Sequence, residues 1–290
     1  MQEALATDAL TLPASELALL DARFPARSVP VGGGAVVSVR EHGQGPAIVC
    51  LHGIGSGAAS WLQVALTLAP QARLIAWDAP GYGASTPLAP AAPGAADYAR
   101  RLHAVLDALE IPSCVLVGHS LGALAAAAAA RGGSALASRI RRLVLISPAA
   151  GYGAPSRAEA RARVRTERLA TLDALGIAGM AAHRSGRLVS DTASASARQW
   201  VRWNMARLNE HGYRQAIELL CNGNLLADLP PAMPVRVACG TLDVVTPPQA
   251  CAEVARQCGV ALEPIEGAGH ASYVEQPQAV STLLREALAA

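Results

Sequence analysis

Ser120 stands in Gly118-His119-Ser120-Leu121-Gly122, directly after the apolar run Val115-Leu116-Val117 and before an alanine-rich stretch, Ala123 to Ala130. A serine hydroxyl is a weak nucleophile at neutral pH. It needs an adjacent base, itself oriented by a third group. Strand, sharp turn and helix form the setting in which a G-x-S-x-G serine stands clear of the backbone. A side chain at Gly118 or Gly122 would run into the neighbouring strand or helix. The base has to come from seven histidines. His52 and His119 sit inside turns beside other motifs, His42 and His103 lie in early elements without a suitable turn, and His183 and His211 fall in a later helical stretch. His270 alone follows a late strand in a small-residue turn, Gly267-Ala268-Gly269-His270. An orienting carboxylate should also follow a core strand, and Asp243 does, in Gly240-Thr241-Leu242-Asp243. The strand ending at Ile146 is followed by Ser147-Pro148 and offers no acid. Asp78 ends a strand before the serine, in a Pro-Gly turn, and we expect it to order that loop by hydrogen bonding. The chemistry implied is acyl transfer, with Ser120 as nucleophile, His270 as base and Asp243 as orienting acid. The plain alternatives are a turn serine, a surface-loop histidine and a turn carboxylate that bonds nearby amides ahead of Pro247.

These three residues need a scaffold. Val36 to Arg40, after the turn Gly32-Gly33-Gly34, alternates as a strand of an opening hairpin or meander. The glycines read as a turn rather than a phosphate loop, since no helix follows them. Ala47 to Leu51, Leu74 to Trp77, Cys114 to Val117 and Leu143 to Ile146 are short continuous apolar runs, the pattern of strands buried on both faces. Helices are expected over 60–68 and 97–109, the latter with Leu102, Val105, Leu106 and Leu109 at helical spacing. Strand alternating with helix predicts an α/β fold, a mostly parallel central sheet with helices on both faces. In such sheets function gathers at the carboxyl ends of the strands, where His52, Asp78 and Ser120 all fall. After Pro148 the strand pattern stops, and it returns at Val235 to Cys239. The stretch between holds eleven arginines and seven acidic residues over 151–230, a net of +4, which leaves −2 for the rest of a chain whose total is +2. The division expected is therefore a core over 1–150, an inserted helical cap or lid over 151–230, and the second part of the core over 231–290.

Composition narrows the chemistry. The chain of 290 residues is 52% hydrophobic and 16% charged, so it can bury a large core. All 24 basic residues are arginine. Without lysine, Schiff-base chemistry, Ser-Lys dyads and the phosphate-binding lysine of G-x-x-x-x-G-K-[ST] are ruled out. A net charge of +2 gives no nucleic-acid footprint. The start, Met1-Gln2-Glu3-Ala4, lacks the pattern of a signal peptide, and the alanine run after Ser120 fits a buried helix better than a membrane span. A cytoplasmic protein with no membrane or nucleic-acid partner is expected. Six cysteines are scattered without a C-x-x-C pair, and Cys50, Cys114 and Cys239 fall in predicted buried strands, so neither disulfides nor a metal site is expected.

Five motifs in order, His52-Gly53-Ile54-Gly55, Asp78-Ala79-Pro80-Gly81-Tyr82-Gly83, Gly118-His119-Ser120-Leu121-Gly122, Gly240-Thr241-Leu242-Asp243 and Gly267-Ala268-Gly269-His270, make the chain resemble the α/β-hydrolases with a helical cap over nearly its whole length. The order Ser120, Asp243, His270 is theirs. The resemblance implies an oxyanion hole from the backbone N–H groups of Ile54 and Leu121. Unpaired amides after a strand and at a helix start agree with it. It is similar overall to 3-oxoadipate enol-lactonases and carboxylesterases, which implies a small ester or lactone as substrate and no cofactor. Serine at the elbow argues against the haloalkane dehalogenase and epoxide hydrolase branches. Carbon–carbon hydrolysis of a vinylogous diketone is the alternative, although Ile54 and the lack of proline depart from its glycine-rich loop. A cofactor-free haloperoxidase, an acyltransferase or a binding protein that kept the fold stay open. Trp200, Trp203 and Met205 are candidates for a pocket wall, or else for packing between cap and core. Arg157, Arg161, Arg165 and Arg168, interleaved with Glu159 and Glu167, read as a solvated helix face or as a carboxylate site.

Overall fold

The structure, a computed structural model, describes residues 10–289. The reading of Met1 to Ala4 lies outside the described residues. In chain order the elements are α1 (Ala14–Arg23), β1 (Ala26–Pro30), β2 (Val36–His42), β3 (Ala47–Leu51), α2 (Leu62–Leu68), β4 (Arg73–Trp77), α3 (Ala95–Ala108), β5 (Cys114–His119), α4 (Gly122–Ala130) and β6 (Ile140–Ile146). After them come α5 (Ala158–Arg184), α6 (Ala195–Ala206), α7 (Glu210–Asn222), β7 (Val235–Gly240), α8 (Pro248–Gln257), β8 (Leu262–Ile265), α9 (Ser272–Glu275) and α10 (Pro277–Ala289).

The strands form one sheet in the order β1-β2-β4-β3-β5-β6-β7-β8. β2 runs antiparallel to β1 and β4, and every other pairing is parallel. Strand periodicity divides the core. Along β5, Cys114 and Leu116 face the side packed with Leu102, Leu106 and Leu124, while Val115 and Val117 face the side packed with Leu62, Leu68 and Leu284. Both faces are covered, which explains the unbroken apolar runs. α4 is apolar all round and buried along nearly its whole length, as its alanines require. β1 was hidden in the sequence because only Val29 of its five residues is buried. It is an edge strand, where Pro30 does no harm. The glycines 32 to 34 close its hairpin with β2, all at positive φ. Between β6 and β7 the described chain is helical, with α5 broken at Gly176, which has φ +61°. Strands β3 to β7 therefore release His52, Asp78, Ser120, Ser147 and Thr241 at one edge of the sheet, and the helical segment lies over that edge.

Candidate active site

Ser120 occupies a left-handed backbone conformation, φ +51°, which is uncommon for a residue with a side chain. Such a residue costs about 1–3 kcal/mol and persists only where its surroundings dictate it. Here they do. The Ser120 N–H donates to Ile146 O on β6 at 3.1 Å, and its carbonyl accepts from Ala123 N and Ala149 N, each at 3.1 Å. The glycines on either side have no room for a methyl group. A Cβ on Gly118 would lie 2.7 Å from Ala123 Cα, and one on Gly122 would lie 2.4 Å from Leu51 O.

His270 and Asp243 meet across the same edge. The His270 Nδ1 lies 2.9 Å from Asp243 Oδ2. The carboxylate is fully engaged: Oδ1 accepts from Val245 N at 2.8 Å and Thr246 N at 3.0 Å, and Thr246 Oγ1 lies 2.9 Å from Oδ2. Burial alone would push this acid up. The hydrogen bond and charge of His270 and the two backbone amides outweigh that burial and hold the Asp243 carboxyl down at about 2. Thr246 Oγ1 also lies 3.2 Å from His270 Nδ1 and 3.0 Å from Ser147 O, so it joins His270, Asp243 and the end of β6. Sequence reasoning did not single out Thr246. Its signal, a hydroxyl three residues after the acid, is the same as that of any turn.

Ile54 and Leu121 both line the cavity that contains Ser120 and His270, and it is their backbone N–H groups that the resemblance singled out. Neither has a hydrogen-bond acceptor among the described residues. The turn that carries Ile54 is held from three sides. His52 Nε2 accepts from Ala79 N at 2.9 Å, so its proton is on Nδ1, which donates to Gly53 O at 2.8 Å. Tyr82 Oη donates to Ile54 O at 3.0 Å. Tyr273 Oη donates to Ser56 Oγ at 2.9 Å. Asp78 orders its own loop through its carbonyl, which accepts from Ser85 Oγ at 2.7 Å, and its side chain does more. Its carboxylate accepts from Ser38 Oγ at 2.7 Å and from Ala58 N at 2.9 Å, and so ties β2 to the turn after β3.

The cavity has a volume of about 410 Å³. Of the three residues expected in its wall, only Met205 lines it. Trp200 and Trp203 point elsewhere. They pack edge to face with centroids 5.5 Å apart and belong to the core on the α2 and α10 side. The Trp200 indole N–H donates to Glu16 on α1. Two residues three apart share a helix face, and the spacing to Met205 puts it on another. Arg157 and Arg168 line the cavity, Arg157 while also exposed to solvent, whereas Arg165 pairs with the nearly buried Glu218. Arg184 and Arg187 also line it and were not foreseen. α5 is broken at Gly176, before Arg184, and no periodicity signals the break.

His119, beside Ser120, donates from Nε2 to His270 O at 2.9 Å. Its Nδ1 is buried with no partner among the described residues. Burial, together with the neighbouring His270, pushes its pKa down from 6.5 to about 3, and burial also lowers that of His52. The folded state thus binds fewer protons than the unfolded chain across this window. These histidines therefore contribute stability that is fully present above pH 6.5 and is lost as the pH drops from 6.5 towards 3. His119→Gln, which keeps a donor, should flatten the slope of unfolding free energy between these limits by about 1.4 kcal/mol per pH unit. Urea titrations at stepped pH measure this, and an unchanged slope would show that His119 titrates normally.

The sequence model of the alpha/beta hydrolase family matches residues 48–283. The chain belongs to that family. Across 91 residues it is 43% identical to a pimeloyl-[acyl-carrier protein] methyl ester esterase of Aeromonas salmonicida, a match over 31% of this chain and 34% of the esterase. Across 133 residues it is 36% identical to a 2-hydroxymuconate semialdehyde hydrolase of Pseudomonas sp. CF600, over 41% of this chain and 42% of the relative. The chain thus spans less than half the length of these curated relatives. The crystal structure of the enol-lactonase from Burkholderia xenovorans LB400 superposes with a TM-score of 0.74 at 22% identity, over 92% of this chain and 100% of that one. The mostly parallel sheet is that of the α/β-hydrolase fold. No helix among the described residues is long and apolar enough to cross a membrane.

Proposed function

We propose that this hydrolase cleaves a small carboxylic ester or lactone through an acyl-enzyme on Ser120. One observation supports the reading: a serine at φ +51°, a histidine bonded to a buried carboxylate, and Ile54 and Leu121 all line one cavity. In the first step Ser120 Oγ attacks the carbonyl carbon while His270 takes its proton. Asp243 holds the proton-bearing Nδ1 and stabilises the imidazolium. The Ile54 and Leu121 amides receive the negative charge that develops on the carbonyl oxygen. One such donor is worth about 3 kcal/mol. His270 then protonates the leaving alkoxide, and in the second half-reaction it activates water to release the acid. The helical segment over 151–230 acts as the cap that excludes bulk water. Ester cleavage is favoured over carbon–carbon cleavage because the turn at Ile54 lacks the glycine-rich, proline-containing loop of the diketone hydrolases.

A fluorophosphonate probe should label the native protein and leave Ser120→Ala unlabelled. An unlabelled native protein would remove Ser120 from the mechanism. Turnover of a vinylogous diketone alone, beside p-nitrophenyl esters and enol-lactones, would replace the ester reading.

A further inference from the structure

The helical segment lines the Ser120 cavity with four arginines: Arg157, Arg168, Arg184 and Arg187. Glu167 is the one acid beside them in the wall, and its carboxylate pairs with Arg163 at 3.9 Å. Elsewhere arginines meet carboxylates, as Arg165 does with Glu218 and Arg214 with Asp173 and Glu210. The cavity arginines do not. Arg157 donates to Gly151 O at 2.6 Å and lies over the Tyr152 ring. Arg168 donates to Tyr213 Oη at 3.1 Å, which leaves the tyrosine proton free to donate in turn. Arg184 is half-buried, and neither it nor Arg187 has a hydrogen-bond or ion-pair partner among the described residues.

A half-buried guanidinium without a counter-ion is costly, and like charges nearby raise the cost. Burial first, then the neighbouring Arg168 and Arg187, work against Tyr213 and Glu167 to lower the Arg184 pKa, so these groups are close enough to feel one another. An anion entering the cavity would relieve the three guanidiniums at once. The planar guanidinium fork matches a carboxylate in two parallel hydrogen bonds.

We propose that the substrate carries a free carboxylate, held by Arg168 and Arg184 with the Tyr213 hydroxyl, while its ester carbonyl reaches Ser120. The substrate class is the mono-ester of a dicarboxylic acid. Water adds across the ester to give a dicarboxylate and an alcohol. This rests on the Ser120 reading for the cleavage step but not for the anion site itself.

Two measurements separate the parts. Calorimetry with glutarate should show binding to the native protein. Arg168→Gln and Arg184→Gln should each weaken it at least tenfold, Arg184→Lys should restore part of it, and the uncharged diamide should not bind. In kinetics, kcat/KM for monomethyl glutarate should exceed that for its carboxamide analogue about tenfold or more, and Arg184→Gln should bring the ratio near one. Circular dichroism confirms that each variant is folded. Absent glutarate binding, or binding equal in native and Arg184→Gln proteins, overturns the anion site. Arginine-dependent binding without turnover of either ester keeps the anion site and overturns the Ser120 reading instead.

Discussion

Asp243→Asn is expected to lower kcat on an ester substrate by about 10⁴-fold and to leave the protein folded. The reason lies in which oxygen does what. Oδ1 accepts the Val245 and Thr246 amides, and a carboxamide oxygen can keep both. Oδ2 faces His270 Nδ1 at 2.9 Å, and in the variant an NH₂ donor takes that position. It can be accommodated only if Nδ1 becomes an acceptor, which moves the imidazole proton to Nε2, the nitrogen left to serve Ser120. A protonated nitrogen cannot take the serine proton. The variant also removes the charge that would stabilise the imidazolium. The loss corresponds to about 5.5 kcal/mol of transition-state stabilisation. The turn stays because its backbone bonds stay, so thermal unfolding should shift little. Single-turnover kinetics and a melting curve measure the two effects. Turnover near the native rate would place the orienting acid elsewhere.

The residues brought together here were legible to different degrees, for physical reasons. Ser120 and Asp243 follow β5 and β7, largely buried strands that print themselves as short apolar runs before a glycine-containing turn. His270 follows the edge strand β8, where only Ile265 is buried, and was legible instead through its small-residue turn. Their meeting at one edge follows from the parallel sheet. β1 left no such print because it is an edge strand with one buried side chain. The cavity wall was harder. A helical segment packs by faces, and spacing says which residues share a face but not which neighbour the face meets. Hence Trp200 and Trp203 went to the core while Met205 went to the cavity. Arg184 and Arg187 lie beyond the break at Gly176, a single residue with φ +61° and open space around it. Thr246 and Tyr82 act through hydroxyl groups whose partners, His270 and Ile54, lie 24 and 28 residues away in sequence.

Gly122→Ala is expected to destabilise the protein by about 2–3 kcal/mol and to take most of the activity with it. The cause is not backbone conformation, since Gly122 has no positive φ. It is space. The new Cβ would lie 2.4 Å from Leu51 O and 2.8 Å from His52 O, and both are backbone atoms that cannot rotate away. Either α4 lifts from the sheet or the end of β3 moves. The first exposes an alanine helix that is stable only through burial. The second shifts Leu51 and His52, which lead directly into Gly53 and Ile54. A displacement of a few tenths of an ångström there would misaim the Ile54 amide and break the His52 to Ala79 bond that holds the turn. Gly132→Ala is the control: it meets nothing within 4 Å and has no positive φ. That substitution should be neutral or stabilise by up to about 0.5 kcal/mol, through the lower entropy of the unfolded chain. Urea unfolding of both variants beside the native protein tests the pair. A Gly122→Ala protein within about 0.5 kcal/mol of native, the range of an ordinary surface change, would mean that α4 slides freely against β3 and that the elbow is not held by close packing.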